Sequence, residues 1–216
     1  MEPIDEFLQR ARPEVMIEVT ALNPVDGEPA ISHIRAAFAR NIHVVTANKG
    51  PIAHAYASLR DQAAREQVQF RFESTCMDGA PVFNMVRNCL PGVKIEGFTA
   101  VMNSTTKIVI NAMREGKSMA EGIRIAQERG IAEADASYDI DGWDSAAKAA
   151  ALSNVLLDAR ITPQQVDRVG IGELTTEQLL KLKSEGKTVV QVTRASVAKD
   201  GGMSITVRPE TLPEGD

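Results

Sequence analysis

Two β-branched runs set the terms for what this chain can become. Val15-Met-Ile-Glu-Val-Thr20 reads as a buried strand and Ile42-His-Val-Val-Thr46 as a second. Between them Asn23-Pro-Val-Asp-Gly27 marks a loop, and Pro29 takes a first-turn position in a helix that runs to about Arg40. After the second run, Asn48-Lys-Gly-Pro51 turns the chain into another helix ending near Arg65. Parallel strands need a crossover of a dozen or more residues, usually a helix, so strand–helix–strand–helix is the rhythm of a parallel α/β sheet.

From residue 68 the rhythm changes. The pattern predicts a third strand over 68–74, a loop over 75–81, a short helix over 82–89 and a half-buried strand over 95–102. Asn103-Ser-Thr-Thr106 punctuates before a helix to about Gly116, and a second helix covers 119–129. A long helix over 143–157, a short one over 175–184, and strands over 189–197 and 203–208 close the chain. Runs of strands and helices replace strict alternation, so the fold class is α/β followed by α+β, divided near residue 68.

Of 216 residues, 44% are hydrophobic and 25% charged, which is enough for a packed core. The net charge of −5 and the aromatic content of 4% argue against nucleic-acid or anionic-membrane partners. No apolar run approaches the roughly 20 residues that span a bilayer. The acidic start, Met1-Glu-Pro-Ile-Asp-Glu-Phe, lacks a signal-peptide layout. Cys76 and Cys89 show no metal-ligand spacing, so reduced thiols in a cytoplasmic protein are expected. His33, His43 and His54 are dispersed and read as structural or surface residues.

The chemistry concentrates in residues 130–148, which carry the carboxylates Glu133, Asp135, Asp139, Asp141 and Asp144 and the lysine Lys148. Asp141-Gly142 breaks the chain before the long helix, so Asp144 and Lys148, at i and i+4, share one helical face. A lysine among acids can move a proton to or from an oxygen, while the acids hold a cationic amino group. The plain alternative is a solvated ion pair worth about 0.3–0.5 kcal/mol.

Five motifs in order resemble homoserine dehydrogenase: Ile17-Glu-Val-Thr20, Val44-Val-Thr-Ala-Asn-Lys-Gly-Pro51, Glu73-Ser-Thr-Cys-Met-Asp-Gly-Ala-Pro81, Met102-Asn-Ser-Thr-Thr106, and the segment from Glu133 to Lys148. The resemblance implies NAD(P)-dependent interconversion of L-homoserine and L-aspartate 4-semialdehyde, in threonine and methionine biosynthesis. It makes Lys148 the acid/base at the substrate hydroxyl, with Lys49 facing the junction of nicotinamide and substrate. Glu133 and Asp144 would bind homoserine, supported by Asp139, and its carboxylate would lie near Ser104 and Thr105. Thr20, Ala21, Thr46 and Lys49 would contact the cofactor. Glu73, with the carbonyls of Cys76, Asp78 and Ala80, would hold a monovalent cation, sodium in the family. Asp78 and Ser104 stand where many relatives have smaller residues. A homodimer paired through the catalytic-domain sheet is also implied.

The same resemblance divides the chain into 1–67, the later part of a Rossmann-like NAD(P)-binding domain, and 68–216, a catalytic, substrate-binding and dimerisation domain with a mixed sheet and helices. Such enzymes open with a strand, a GxGxxG turn and a helix that receives the pyrophosphate. The residues before Val15 contain no glycine, and Glu6 to Arg12 resembles the tail of a helix. The chain is therefore expected to be an internal portion, a fragment or truncated form. Two alternatives follow: a catalytically inactive small-amino-acid-binding or interaction protein built on that fold, or another NAD(P)-linked oxidoreductase that keeps Lys148 and changes substrate.

Overall fold

A computed structural model describes residues 2–215 and shows two compact units. The first holds Met1–Glu96 and Ala150–Pro163, the second Gly97–Ala149 and Gln164–Asp216. These compact units divide at Glu96/Gly97, and 150–163 belongs to the first of them.

In the first unit, helix α1 (Ile4–Ala11) precedes strand β1 (Val15–Glu18), α2 (Ala30–Phe38), β2 (His43–Thr46), α3 (Lys49–Arg65) and β3 (Phe70–Arg71). The strands form a parallel sheet in the order β1-β2-β3, with Met16 opposite Val44 and Val44 opposite Phe70. Alternation puts Met16, Glu18, Val44, Thr46 and Phe70 on the buried face, where Ile34, Phe38, Ile52 and Leu59 of the helices are also buried. Phe38, Phe70, Phe72 and Phe83 then form a chain of ring contacts 5.2–5.4 Å apart.

The expected third strand shrinks to two residues. Phe72 turns inward to that aromatic row, and Thr75 Oγ1 donates to the Phe72 carbonyl at 2.8 Å as a turn of helix begins, α4 (Ser74–Met77). A loop was expected over 75–81, but it starts only at Asp78; α5 (Val82–Cys89) follows.

The second unit begins with β4 (Gly97–Ala100), α6 (Ser104–Arg114), α7 (Met119–Glu128) and α8 (Ser137–Ile140). Next come α9 (Trp143–Leu156), β5 (Asp167–Arg168), α10 (Thr176–Ser184), β6 (Lys187–Val197) and β7 (Met203–Pro213). The four-stranded sheet runs β4-β6-β7-β5 and is mixed: β6 pairs antiparallel with β4 and β7, whereas β5 pairs parallel with β7. Gly97 lets β4 approach, since a Cβ there would lie 2.5 Å from the Ala195 carbonyl oxygen. Strand β7 runs past its expected end through Pro209 and Pro213. Beyond Val207 it has lost β5 as a neighbour, and an open edge tolerates residues without an N–H.

Val109, Ile110, Met113, Ile140, Ile171, Leu179 and Val189 make the core of this unit. Gly122 lets α7 cross α6 closely, its would-be Cβ 3.0 Å from Val109 Cα. Helix α9 belongs to the second unit up to Ala149 and to the first from Ala150. In the first unit Asn154 Nδ2 donates to the Ile52, Ala53 and Ile161 carbonyls at 3.1, 3.2 and 2.9 Å, and Asn154 Oδ1 accepts from Ile161 N at 2.8 Å.

Candidate active site

Lys148 occupies the first half of α9, one turn after Asp144. Its Nζ donates to Asp144 Oδ2 at 2.9 Å and to the Met102 carbonyl at 2.8 Å. The two side chains are 19% and 10% exposed, so the solvated ion pair weighed above is not what the chain forms. Asp144 is held again by Asn103, whose Nδ2 donates to Asp144 Oδ2 at 3.0 Å and to Asp139 Oδ1 at 2.5 Å. The other end of that amide caps α6: Asn103 Oδ1 accepts from Thr106 N at 2.8 Å. One asparagine thus closes a helix and bridges two carboxylates.

Asp139 lies on α8 rather than on an open loop, where Asp135 Oδ1 accepts from Ser137 N at 2.9 Å. Glu133 is exposed outside this chain of bonds; its carbonyl accepts from Gln127 Nε2 at 3.1 Å. Ser104 is exposed at the first turn of α6, and Thr105 beside it is buried. The structure therefore joins Lys148, Asp144 and Asp139 through Asn103, and leaves Glu133 apart. Tyr138 adds a buried hydroxyl that has no hydrogen-bond partner among the described residues. Burial first, then the Asp144 charge, pushes that phenol up to about 12.

A second polar cluster sits where β1 and β2 end in the first unit. Glu18, 3% exposed, accepts from Thr20 N at 2.8 Å, Thr20 Oγ1 at 2.5 Å and Thr46 Oγ1 at 2.7 Å. Asn48 N donates to Thr46 Oγ1 at 2.9 Å, Asn48 Nδ2 to the Thr20 carbonyl at 3.2 Å, and Asn48 Oδ1 caps α3 through Gly50 N at 2.9 Å. Thr20 and Ala21 are exposed just beyond β1, and half-buried Lys49 opens α3. These three stand at the carboxyl ends of parallel strands, where open α/β sheets take ligands, and they fit a dinucleotide contact. Thr46 fits it poorly: it is 1% exposed, with its hydroxyl committed to Glu18 and Asn48.

Around the expected cation loop, Glu73 accepts from Phe83 N at 2.9 Å and Asn84 N at 3.0 Å, so both its oxygens cap α5. The Ala80 carbonyl accepts from Val82 N at 2.9 Å, Cys76 lies buried in α4, and Asp78 leaves that helix with φ 47°. A cation on Glu73 would compete with the α5 cap. No group of three or more His, Cys, Asp or Glu side chains suited to a metal occurs among the described residues, though a site of main-chain carbonyls needs none.

Two residues at these junctions escaped the sequence reading. Glu18 carried a signal, an acid on the same strand parity as Met16. Asn103 looked like a cap, and nothing in its spacing disclosed the two carboxylates.

Comparison with known proteins identifies the family. The profile of the homoserine dehydrogenase family matches residues 81–216, and that of the homoserine dehydrogenase NAD-binding domain matches 1–73. An NAD(+)-dependent homoserine dehydrogenase of Pseudomonas canavaninivorans is 39% identical over 92% of this chain and 56% of its own length. The homoserine dehydrogenase of Methanocaldococcus jannaschii is 34% identical over 99% of this chain and 62% of its own. The crystal structure of a homoserine dehydrogenase from Thiobacillus denitrificans superposes with a TM-score of 0.87 at 26% identity, covering 99% of this chain and 49% of that one. The chain thus spans about half to just over three fifths of these relatives' length. It belongs to the homoserine dehydrogenase family of NAD(P)-linked oxidoreductases.

Proposed function

We propose that this chain carries the acid/base machinery for interconverting L-homoserine and L-aspartate 4-semialdehyde. The observation that carries the reading is Lys148, bonded to Asp144 and to the Met102 carbonyl while still 19% exposed. In its neutral form the amine so placed can accept the hydroxyl proton of an alcohol during oxidation, and the resulting ammonium can return it during reduction. Asp144 and Asp139 offer carboxylate oxygens to an ammonium group, with Glu133 as a further acid from the neighbouring loop. The Thr105 and Ser104 end of α6 offers hydroxyls and a helix N-terminus to the substrate carboxylate.

NAD(P), when bound, supplies the hydride acceptor. Residues 1–67, through Thr20, Ala21 and Lys49, form the proposed cofactor part, and 68–216 the catalytic part. A monovalent cation on the carbonyls of Cys76, Asp78 and Ala80 remains part of the proposal, with Glu73 available only if it releases the α5 cap. Pairing of two copies is assigned to the open face of the four-stranded sheet, where Arg194 meets Glu210 and Thr99; sedimentation of the purified chain tests it. No described helix is long and apolar enough to cross a membrane, and a cytoplasmic setting is proposed.

The test is NAD(P) reduction by the chain with L-homoserine, beside homoserine binding by calorimetry. Lys148→Ala should lose orders of magnitude in turnover while homoserine still binds. Near-normal turnover in that variant sinks the assignment. Binding without reduction in the unaltered chain favours the small-amino-acid-binding alternative.

A further inference from the structure

The corner between α8 and α9 carries Asp139, Asp144 and Lys148, and it is clamped from two sides by residues remote in sequence. Gln191, 3% exposed in the middle of β6, accepts at Oε1 from Ser145 Oγ at 2.8 Å. Ser145, 1% exposed, is the neighbour of Asp144 and lies one turn before Lys148. Arg168 of β5 donates to the Asp141 carbonyl, and its guanidinium lies 3.8 Å over the Trp143 ring.

The two clamps meet at Gly142, which adopts φ 80°. A Cβ there would lie 3.3 Å from both Arg168 Cγ and Gln191 Nε2. The strand end also presses on the corner: Ile171 N donates to the Ile140 carbonyl at 2.8 Å, and a Cβ on Gly170 would lie 2.5 Å from that same oxygen. A polar residue at a core-facing strand position needs a reason. Val189 shares its parity and is buried in the core, whereas Gln191 reaches the active-site helix instead.

We propose that Gln191 and Arg168 are positioning residues that fix the start of α9, and so hold Lys148 and Asp144 in the register their chemistry needs. Gln191 acts through Ser145, and Arg168 through the Asp141 carbonyl and the Trp143 ring. The proposal rests on the acid/base reading of Lys148, because only then does that register matter to turnover. A misplacement of about 1 Å at a reacting group can cost about 100-fold.

The experiment compares Gln191→Leu, Ser145→Ala, the double variant and Arg168→Ala in the full chain. Amide hydrogen exchange over 142–148 reports the corner directly, and homoserine turnover reports its use. Trp143, the sole tryptophan, gives a further local signal through its emission. The expected result is exchange about 10-fold faster over 142–148, with core amides such as those of α6 unchanged. The double variant should match either single one, and Arg168→Ala should red-shift Trp143. Turnover should fall about 10-fold or more, with the KM for homoserine within about 2-fold.

Unchanged exchange and emission would overturn the clamp whether or not the chain oxidises homoserine. Altered exchange with normal turnover in an active chain would overturn the positioning role. A chain that never turns over homoserine, yet shows the local changes, keeps the clamp and fails only the dehydrogenase reading.

Discussion

Glu18 and Asp144 are both buried acids, the whole residues 3% and 7% exposed, and both stand beside a strand-to-helix junction capped by an asparagine. In the first unit the donors around Glu18 are neutral: a backbone N–H and two threonine hydroxyls. In the second, Asp144 receives the cation Lys148 together with the Asn103 amide. Asn48 Nδ2 ends on a carbonyl, whereas Asn103 Nδ2 ends on two acids. The first arrangement satisfies a buried acid and fixes two strand ends. The second satisfies one with a cation that is itself partly open to solvent, and the acid/base role proposed for Lys148 is what would set the two clusters apart.

The sharpest break between the two comes from removing their proton carriers. Lys148→Ala should lower homoserine turnover by about 10²–10⁴-fold, whereas Thr46→Val, its counterpart beside Glu18, should change turnover far less. Comparable losses in initial-rate assays would erase the distinction.

Stability should show the reverse order. Glu18→Ala leaves the buried Thr46 hydroxyl without its acceptor and should cost about 2–3 kcal/mol in denaturant unfolding. Asp144→Asn should cost less, about 1 kcal/mol, because Lys148 keeps the Met102 carbonyl. Equal costs would mean that the two acids are held alike.

Asn48→Ala and Asn103→Ala each remove a helix cap and should each lose about 1 kcal/mol. Only Asn103→Ala should also lower turnover, a split that parallel melts and assays would show.

Tyr138→Phe should be the mildest change, raising unfolding stability by up to about 1 kcal/mol, because the hydroxyl it removes is buried without a partner among the described residues. With the phenol pushed up to about 12, the folded chain retains a proton that the unfolded chain releases near 10. Stability from this group is therefore full below pH 10 and falls as pH rises toward 12; Tyr138→Phe should flatten that decline. An identical alkaline slope in both proteins would place the loss elsewhere.

Much of this was legible in the residues. The β-branched runs and the punctuation by Pro29, Asn48 and Asn103 mark element boundaries that the chain keeps within a few residues, because local sterics and capping decide them. The Asp144–Lys148 pair followed from helical periodicity alone. What escaped is long-range. The α8 turn and the two-residue β5 carry too little periodicity to announce themselves, and they exist because partners elsewhere complete them. Strand β5 needs Thr206 and Val207, and the bond between Ser145 and Gln191 joins residues 46 positions apart. That Glu73 caps α5 was hidden for the same reason: its partners, Phe83 and Asn84, are set by how the chain folds back.

The passage of α9 from one unit to the other has a consequence for the order in which the protein can be made. Asn154 ties Ile52, Ala53 and Ile161 together, and Ile52 precedes it by 102 residues. At about 5–20 residues per second, the ribosome adds that stretch in roughly 5–20 s. During that interval the β1-β2-β3 sheet is without residues 150–163, and the intervening 97–149 must emerge first. The nascent first unit thus spends seconds with the Ile52 and Ala53 carbonyls still lacking the Asn154 amide, a window in which a chaperone or a wrong partner can act before that segment arrives.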